Sequence, residues 1–157
     1  MAYQPPRAGA PLTAAALESM AGEGADYTPT WASGGTAPVL GNGTLTGRRI
    51  LMGDIAMVTI KLTGGSSTTW GTGNYTFSLP ADAPAAATAD IVGSCFIGDS
   101  SVGAAGYSTG VAFAGAGGTT VGAYVGAKNA ASSISNTNPQ TMAQGDRIWL
   151  FLIYEVA

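Results

Sequence analysis

The sequence predicts an all-β protein, either a sandwich or a barrel, from three observations. Short runs with strand-like alternation follow one another from Tyr27 to Ala157, and glycine-rich turns separate them. Helical periodicity is confined to one short segment near the N-terminus. Charged residues make up only 10% of the 157 residues, which is typical of chains that pack against copies of themselves or a larger assembly. The length fits one domain.

The first 26 residues are predicted to form an N-terminal anchor arm, ahead of a β domain at residues 27–157. Met1–Pro11 contains three of the eight prolines and should be extended. A short helix is expected at Thr13–Ala21, with Thr13 as N-cap and Gly22 at the C′ position. The apolar residues Leu12, Leu17 and Met20 would need a surface, which could be the domain itself, a neighbouring subunit or a host structure. The alternative is a tail without fixed structure.

The strand predictions begin with an extended segment at Tyr27–Trp31, where Pro29 favours a sheet edge. A hairpin follows, in which Thr44–Met52 and Ile55–Thr63 are joined by Gly53-Asp54. In the second strand, Ala56, Val58, Ile60 and Leu62 share one face and should face the core. Further strands are expected at Tyr75–Leu79, Ala89–Gly98, Tyr107–Ala114 and Thr119–Ala127, for eight or nine strands in all.

The last strand, Arg147–Val156, is apolar on both faces, unlike a strand that is covered on one side only. One face carries Trp149, Phe151 and Ile153, and the other carries Leu150, Leu152 and Tyr154. An apolar patch of this kind is rarely left open to water. These six residues are therefore predicted at a subunit interface, with burial inside one monomer as the alternative.

Composition disfavours most catalytic and cofactor chemistry. The chain has no histidine and a single cysteine, Cys95, which is expected to be a small buried hydrophobe. These counts remove the commonest general base, the usual zinc sites and a disulfide within the chain. A net charge of −3 with no basic patch disfavours nucleic acid. No apolar run is long enough to span a membrane. We predict no enzyme activity, no cofactor and no metal.

One group of side chains could bind sugars. Trp31, Trp70 and Tyr75 could form a shelf on which a glycan stacks, although packing in the core or at an interface is the favoured interpretation. The polar loop Asn129–Thr141 is a second place where a glycan could bind.

Several of these segments together resemble β domains of tailed-bacteriophage virion proteins, the capsid decoration, head-fibre and minor tail proteins of phages that infect actinobacteria. The resemblance covers residues 27–157. It is carried by these segments: Tyr27-Thr-Pro-Thr-Trp31, Gly41-Asn-Gly-Thr-Leu-Thr-Gly-Arg48, Val58-Thr-Ile-Lys-Leu62, Gly71-Thr-Gly-Asn-Tyr-Thr-Phe-Ser-Leu-Pro80 and Gly145-Asp-Arg-Ile-Trp-Leu150 with Tyr154-Glu-Val-Ala157.

The resemblance implies an antiparallel β-sandwich of the jelly-roll type, a homotrimer similar to the tumour-necrosis-factor group, and no catalytic role. It predicts a structural protein of the virion that decorates and reinforces the capsid exterior. Its partners would be copies of itself and the major capsid protein or another virion protein, held through Leu12, Leu17 and Met20. The alternative is a minor tail or tail-tip protein that binds a host surface glycan.

Overall fold

The computed structural model describes residues 9, 11, 13, 14, 22–126 and 131–157, in which ten strands form one antiparallel sheet. The strands are β1 Glu23–Tyr27, β2 Trp31–Ser33, β3 Thr44–Met52, β4 Ile55–Thr63, β5 Tyr75–Ser78, β6 Ile91–Gly98, β7 Tyr107–Ala114, β8 Thr120–Val125, β9 Ser132–Ser133 and β10 Arg147–Glu155. Their order in the sheet is β1-β3-β4-β10-β6-β7-β8-β5-β2, with β9 paired to β8. A single 3-10 turn, Gly103–Gly106, precedes β7 in this part of the chain.

The predicted all-β antiparallel architecture is confirmed, as are both hairpins. β3 and β4 pair along their whole length, from Met52 opposite Ile55 to Thr44 opposite Thr63. Gly53 in the intervening turn has φ of 61°, a left-handed conformation that glycine adopts without the steric cost of a Cβ. β7 and β8 pair across the second glycine-rich turn.

The last strand lies in the middle of the sheet. β10 pairs with β4 on one side and with β6 on the other, both antiparallel. Because β6, β7 and β8 are consecutive neighbours and β10 returns beside β6, these four strands form a Greek key. This order does not by itself confirm the expected jelly-roll type, which combines two Greek keys in a double sheet.

The sheet curls until its two ends approach each other. β1 and β2 lie at opposite ends of the strand order, yet only Thr28–Thr30 joins them, so Tyr27 and Trp31 lie at most about 14 Å apart. The Tyr27 ring packs on Gly47, where an added Cβ would lie 2.6 Å from Tyr27 Cζ. The Tyr27 hydroxyl donates a hydrogen bond of 3.3 Å to the carbonyl oxygen of Ser78, the last residue of β5, which lies next to β2 near the other end of the sheet. A half-barrel of this kind is consistent with a sandwich.

The concave face of the sheet holds the core. The predicted core face of β4 is confirmed, since Ala56, Val58, Ile60 and Leu62 are all at most 1% exposed. The opposing wall includes Tyr75, Phe77 and Val121. Strand alternation explains the arrangement, because every second side chain of each strand points inward.

A loop closes the core below β3 and β10. Leu79, Ala83 and Ala85 are buried, and the Tyr154 hydroxyl donates a 2.8 Å hydrogen bond to the carbonyl oxygen of Ala83. The buried Arg49 side chain faces this loop and donates two hydrogen bonds, of 2.6 and 3.0 Å, to Asp82 Oδ2. The hydrogen bonds from Arg49 lower the pKa of Asp82 below its ordinary value.

The turn before β10 is held by a buried carboxylate. Asp146 is 1% exposed and accepts hydrogen bonds of 2.9 Å from the backbone N–H groups of Ser100 and Ala143, and one of 3.3 Å from Gln140 Nε2. Asp in a turn is expected to bond backbone in this way. Asp146 therefore ties two loops to the start of the central strand.

The N-terminal arm is described only in part. Glu23–Asp26, which the sequence assigns to the arm, are strand residues that pair with β3. Most of the predicted helix, including Leu12, Leu17 and Met20, lies outside the described residues. The helix and its anchoring role stay predictions.

We expect Leu152→Ala to lower the free energy of unfolding by about 2–5 kcal/mol, because Leu152 is fully buried on the core face of β10. Urea denaturation followed by circular dichroism measures this. Val39→Ala is the control, since Val39 is 58% exposed and lies outside the core; it should change the value by less than about 0.5 kcal/mol. Equal losses in the two variants would contradict the assigned core.

The Arg49–Asp82 pair should make stability depend on acid pH. A lowered pKa means that the carboxylate stabilises the fold fully above its ordinary pKa of 3.8, and that this contribution is lost as pH falls through the lowered value. The difference in unfolding free energy between wild type and Asp82→Asn should therefore be constant at neutral pH and shrink below pH 3.8. It should be small, about 1 kcal/mol or less, since the Asp82 side chain is 59% exposed. A difference that grows on acidification would contradict this account.

Candidate functional site

The convex face of the sheet carries an unusual number of large apolar side chains. Of the twelve that are exposed in the described residues, ten lie on this face, and we call them the outer face. Soluble proteins rarely leave such contiguous apolar surface open unless it contacts a partner. The outer face consists of Met52, Ile55, Val92, Tyr107, Val111, Phe113, Tyr124, Trp149, Phe151 and Ile153.

The strand register makes the outer face continuous. On β10, Phe151 lies opposite Thr59 of β4 and Ser94 of β6. Ser94 in turn lies opposite Val111 of β7, which lies opposite Tyr124 of β8. Directly opposite residues in an antiparallel pair have their Cβ atoms about 5 Å apart and point to the same side. The outer face therefore runs across five adjacent strands.

The two rows of β10 have different surroundings. Leu150, Leu152 and Tyr154 are at most 6% exposed and lie in the core of the chain itself. Trp149, Phe151 and Ile153 are 38%, 39% and 49% exposed. The predicted interface can therefore involve the second row only, because the first row is already covered by the same chain.

Aromatic rings border a shallow groove in the outer face. The Phe96 ring lies 5.4 Å from the ring of Trp149 and 4.9 Å from that of Tyr107, between ring centroids. The ammonium of Lys61 lies 5.5 Å from the centroid of the Trp149 ring. The groove has a volume of about 360 Å³ and is lined mainly by apolar atoms. Rings of this kind supply large contact area at a protein interface.

Cys95 lies beneath this groove as the buried hydrophobe that the sequence predicts. It is 3% exposed, and its thiol lies 3.9 Å from the carbonyl oxygen of Tyr124. Burial raises the pKa of the Cys95 thiol to about 11, so the reactive thiolate form is scarce at neutral pH. Cys95 thus contributes packing.

The aromatic group considered for glycan binding packs against the core, with Tyr75 buried and Trp31 and Trp70 half-buried. Tyr75 is 1% exposed and donates a 2.7 Å hydrogen bond to the carbonyl oxygen of Trp70. Trp31 packs edge-on against both Trp70 and Tyr75, with ring centroids 5.4 and 5.3 Å apart. Packing, the favoured interpretation, accounts for these rings, and Tyr75 offers no face for a sugar to stack on.

Several outer-face residues were not predicted from the sequence. In β7 the large residues Val111 and Phe113 point outward, and the small residues Ala112 and Ala114 point into the core. The sequence of β7 does alternate between large and very small apolar residues. Alternation of this kind does not reveal which set is buried, because both sets are apolar.

The described residues contain neither a cluster of metal-ligating side chains nor a membrane-spanning helix. Among them, no three His, Cys, Asp or Glu side chains lie close enough to hold a metal ion. No described helix is long and apolar enough to cross a membrane. Comparison of the chain with models of protein families, with curated proteins and with solved structures found no match.

Proposed function

We propose that the chain is a non-catalytic structural protein that assembles as a homotrimer through the outer face. The observation that carries this proposal is the exposed row Trp149, Phe151 and Ile153, which lies in the middle of a continuous apolar surface. Copies of the chain are suitable partners because the outer face consists of large aliphatic and aromatic side chains, and aromatic residues are enriched at the core of protein interfaces.

The expected energetics favour a stable assembly. Stable protein interfaces bury about 800 Å² on each partner, and apolar burial contributes about 25 cal/mol per Å² before ordering costs are subtracted. Ten large side chains spread over six strands (β3, β4, β6, β7, β8 and β10) provide a broad surface for such a contact. Trp149, Phe151 and Tyr107 are residue types that often contribute most of the binding energy at such contacts.

The finer parts of the proposal are the jelly-roll type, the tumour-necrosis-factor-like trimer and the place on the virion. They rest on the resemblance of residues 27–157 to phage virion domains. The Greek key of β6, β7, β8 and β10 supports the jelly-roll type, since a jelly roll combines two Greek keys and these strands supply one of them.

In this proposal the trimer decorates and reinforces the capsid exterior. Three N-terminal arms, acting through Leu12, Leu17 and Met20, attach each trimer more tightly than one arm would.

A change of Phe151 to Asp should prevent assembly, because it places a charge at the centre of the outer face. Light scattering or sedimentation equilibrium should give three times the chain mass of 15.5 kDa for the wild type and one chain mass for Phe151→Asp. Circular dichroism should show an unchanged fold, since Phe151 points away from the core.

Val102→Asp is the matched control for this experiment. Val102 is 56% exposed, which exceeds the exposure of Phe151, but it lies outside the outer face. The Val102→Asp variant should keep the mass of the wild type. A single-chain mass for the wild type, or equal loss of assembly in both variants, would argue against the proposed interface.

Deletion of residues 1–21 should separate assembly from attachment, because it removes the proposed anchor and leaves β1 intact. We expect the truncated protein to remain an assembly of three chains, with three times its own chain mass. It should no longer co-sediment with phage capsids that lack the protein. The triple change of Leu12, Leu17 and Met20 to Ser should have the same effect in the full chain. Co-sedimentation equal to that of the wild type would show that the arm is not the anchor.

A further inference from the structure

A polar cleft lies beside the apolar groove, at the place where β1 leaves β3. β1 pairs with β3 only as far as Tyr27 opposite Gly47, after which the chain turns away toward β2. The remaining residues of β3, Thr44, Leu45 and Thr46, therefore have no strand neighbour on that side. The cleft that results has a volume of about 510 Å³, within the range of small-ligand sites.

The charged groups of the cleft leave a cation available. Arg48 Nη1 donates a 2.7 Å hydrogen bond to Asp26 Oδ1, and both side chains are largely exposed, at 55% and 81%. Lys61 also lines the cleft, and within the described residues no carboxylate lies within ion-pair distance of its ammonium. Two cations and one carboxylate give the cleft an excess positive charge.

Hydroxyl groups converge on the same space. Thr28, Thr46 and Thr59 line the cleft, and none of these hydroxyls has a hydrogen-bond partner in the part of the chain that the structure describes. Each can both donate and accept a hydrogen bond. Together with Asp26 and Arg48 they offer donors and acceptors spread over three strands.

The cleft is continuous with the apolar groove of the outer face. Thr59 and Lys61 line both, and Lys61 covers part of the Trp149 ring. A ligand in the cleft would therefore meet hydroxyls and charges, together with the side chain of Tyr27, which also lines the cleft. Sugars present this combination of features, since their hydroxyls lie around the ring and their C–H groups form apolar faces.

We propose that this cleft binds a saccharide that carries a carboxylate group. The carboxylate would pair with Lys61, and the sugar hydroxyls would bond Asp26, Arg48 and the threonine hydroxyls. This binding activity goes beyond the proposed structural role and does not depend on it, because all of these groups come from one chain. The site differs from the group of the half-buried Trp31 and Trp70 and the buried Tyr75 considered above.

Titration of the full-length ¹⁵N-labelled protein with a hyaluronan tetrasaccharide tests this proposal, with the neutral chitin tetrasaccharide and a tetraglutamate peptide as comparisons. We expect saturable chemical-shift changes at the amides of Thr46, Arg48, Thr59 and Lys61 with the acidic sugar only. Lys61→Met should weaken binding about tenfold, because a hydrogen bond to a charged group contributes about 1.5 kcal/mol or more. Lys61→Arg should restore most of it.

Arg147→Gln is the control variant, since Arg147 is an exposed cation on β10 that does not line the cleft. Its affinity should equal that of the wild type. Absence of shifts at the cleft, equal binding of the neutral sugar or of the peptide, or equal losses in Lys61→Met and Arg147→Gln would each overturn the proposal. Mass measurements on the same samples separate the two hypotheses: a single-chain protein that binds the acidic sugar supports the site and argues against the trimer.

Discussion

The fold depends on a constraint that acts on the central strand β10. Both rows of its side chains are apolar, but a single curled sheet has only one concave side to bury them. Leu150, Leu152 and Tyr154 fill that side, and the geometry of the strand then directs Trp149, Phe151 and Ile153 outward. No local rearrangement can bury both rows, because a shift of one residue in register would only exchange them.

The outer face and the polar cleft share the same strand. β4 contributes core residues from one row and Thr59 and Lys61 from the other, where the apolar groove and the cleft meet. On β3, the neighbouring residues Arg48 and Arg49 likewise point to opposite faces of the sheet. Arg48 is exposed in the cleft, whereas Arg49 is buried on the concave side, where Asp82 and the carbonyl oxygen of Glu23 accept its hydrogen bonds.

Local patterns predicted much of the secondary structure. The β3–β4 hairpin and the core face of β4 follow from alternation and from the Gly53-Asp54 turn, and the extent of β10 follows, to within one residue, from its long apolar run. The strand order could not be predicted in this way, because the pairing of β10 with β4 and β6 joins residues far apart in the chain. β1 was missed since Glu23-Gly-Ala-Asp-Tyr27 has little strand propensity and is held by its pairing with β3.

The candidate site was predictable only in part, for a related reason. Trp149, Phe151 and Ile153 were identified because a strand with two apolar faces is conspicuous in a sequence. Val111 and Phe113 were not, since their outward direction depends on which small residues fit against the core. The cleft arises where β1 departs from β3, and that departure is a property of the tertiary structure alone.

The short strands at the two ends of the sheet also limit how copies of the chain can aggregate. β1 and β2, the two terminal strands, have five and three residues, and β1 carries acidic side chains at Glu23 and Asp26. Short edge strands that carry charged side chains are poor templates for the addition of a further strand. Amyloid-like stacking of sheets end to end is therefore disfavoured, and the exposed apolar surface can promote contacts between molecules without leading to fibres.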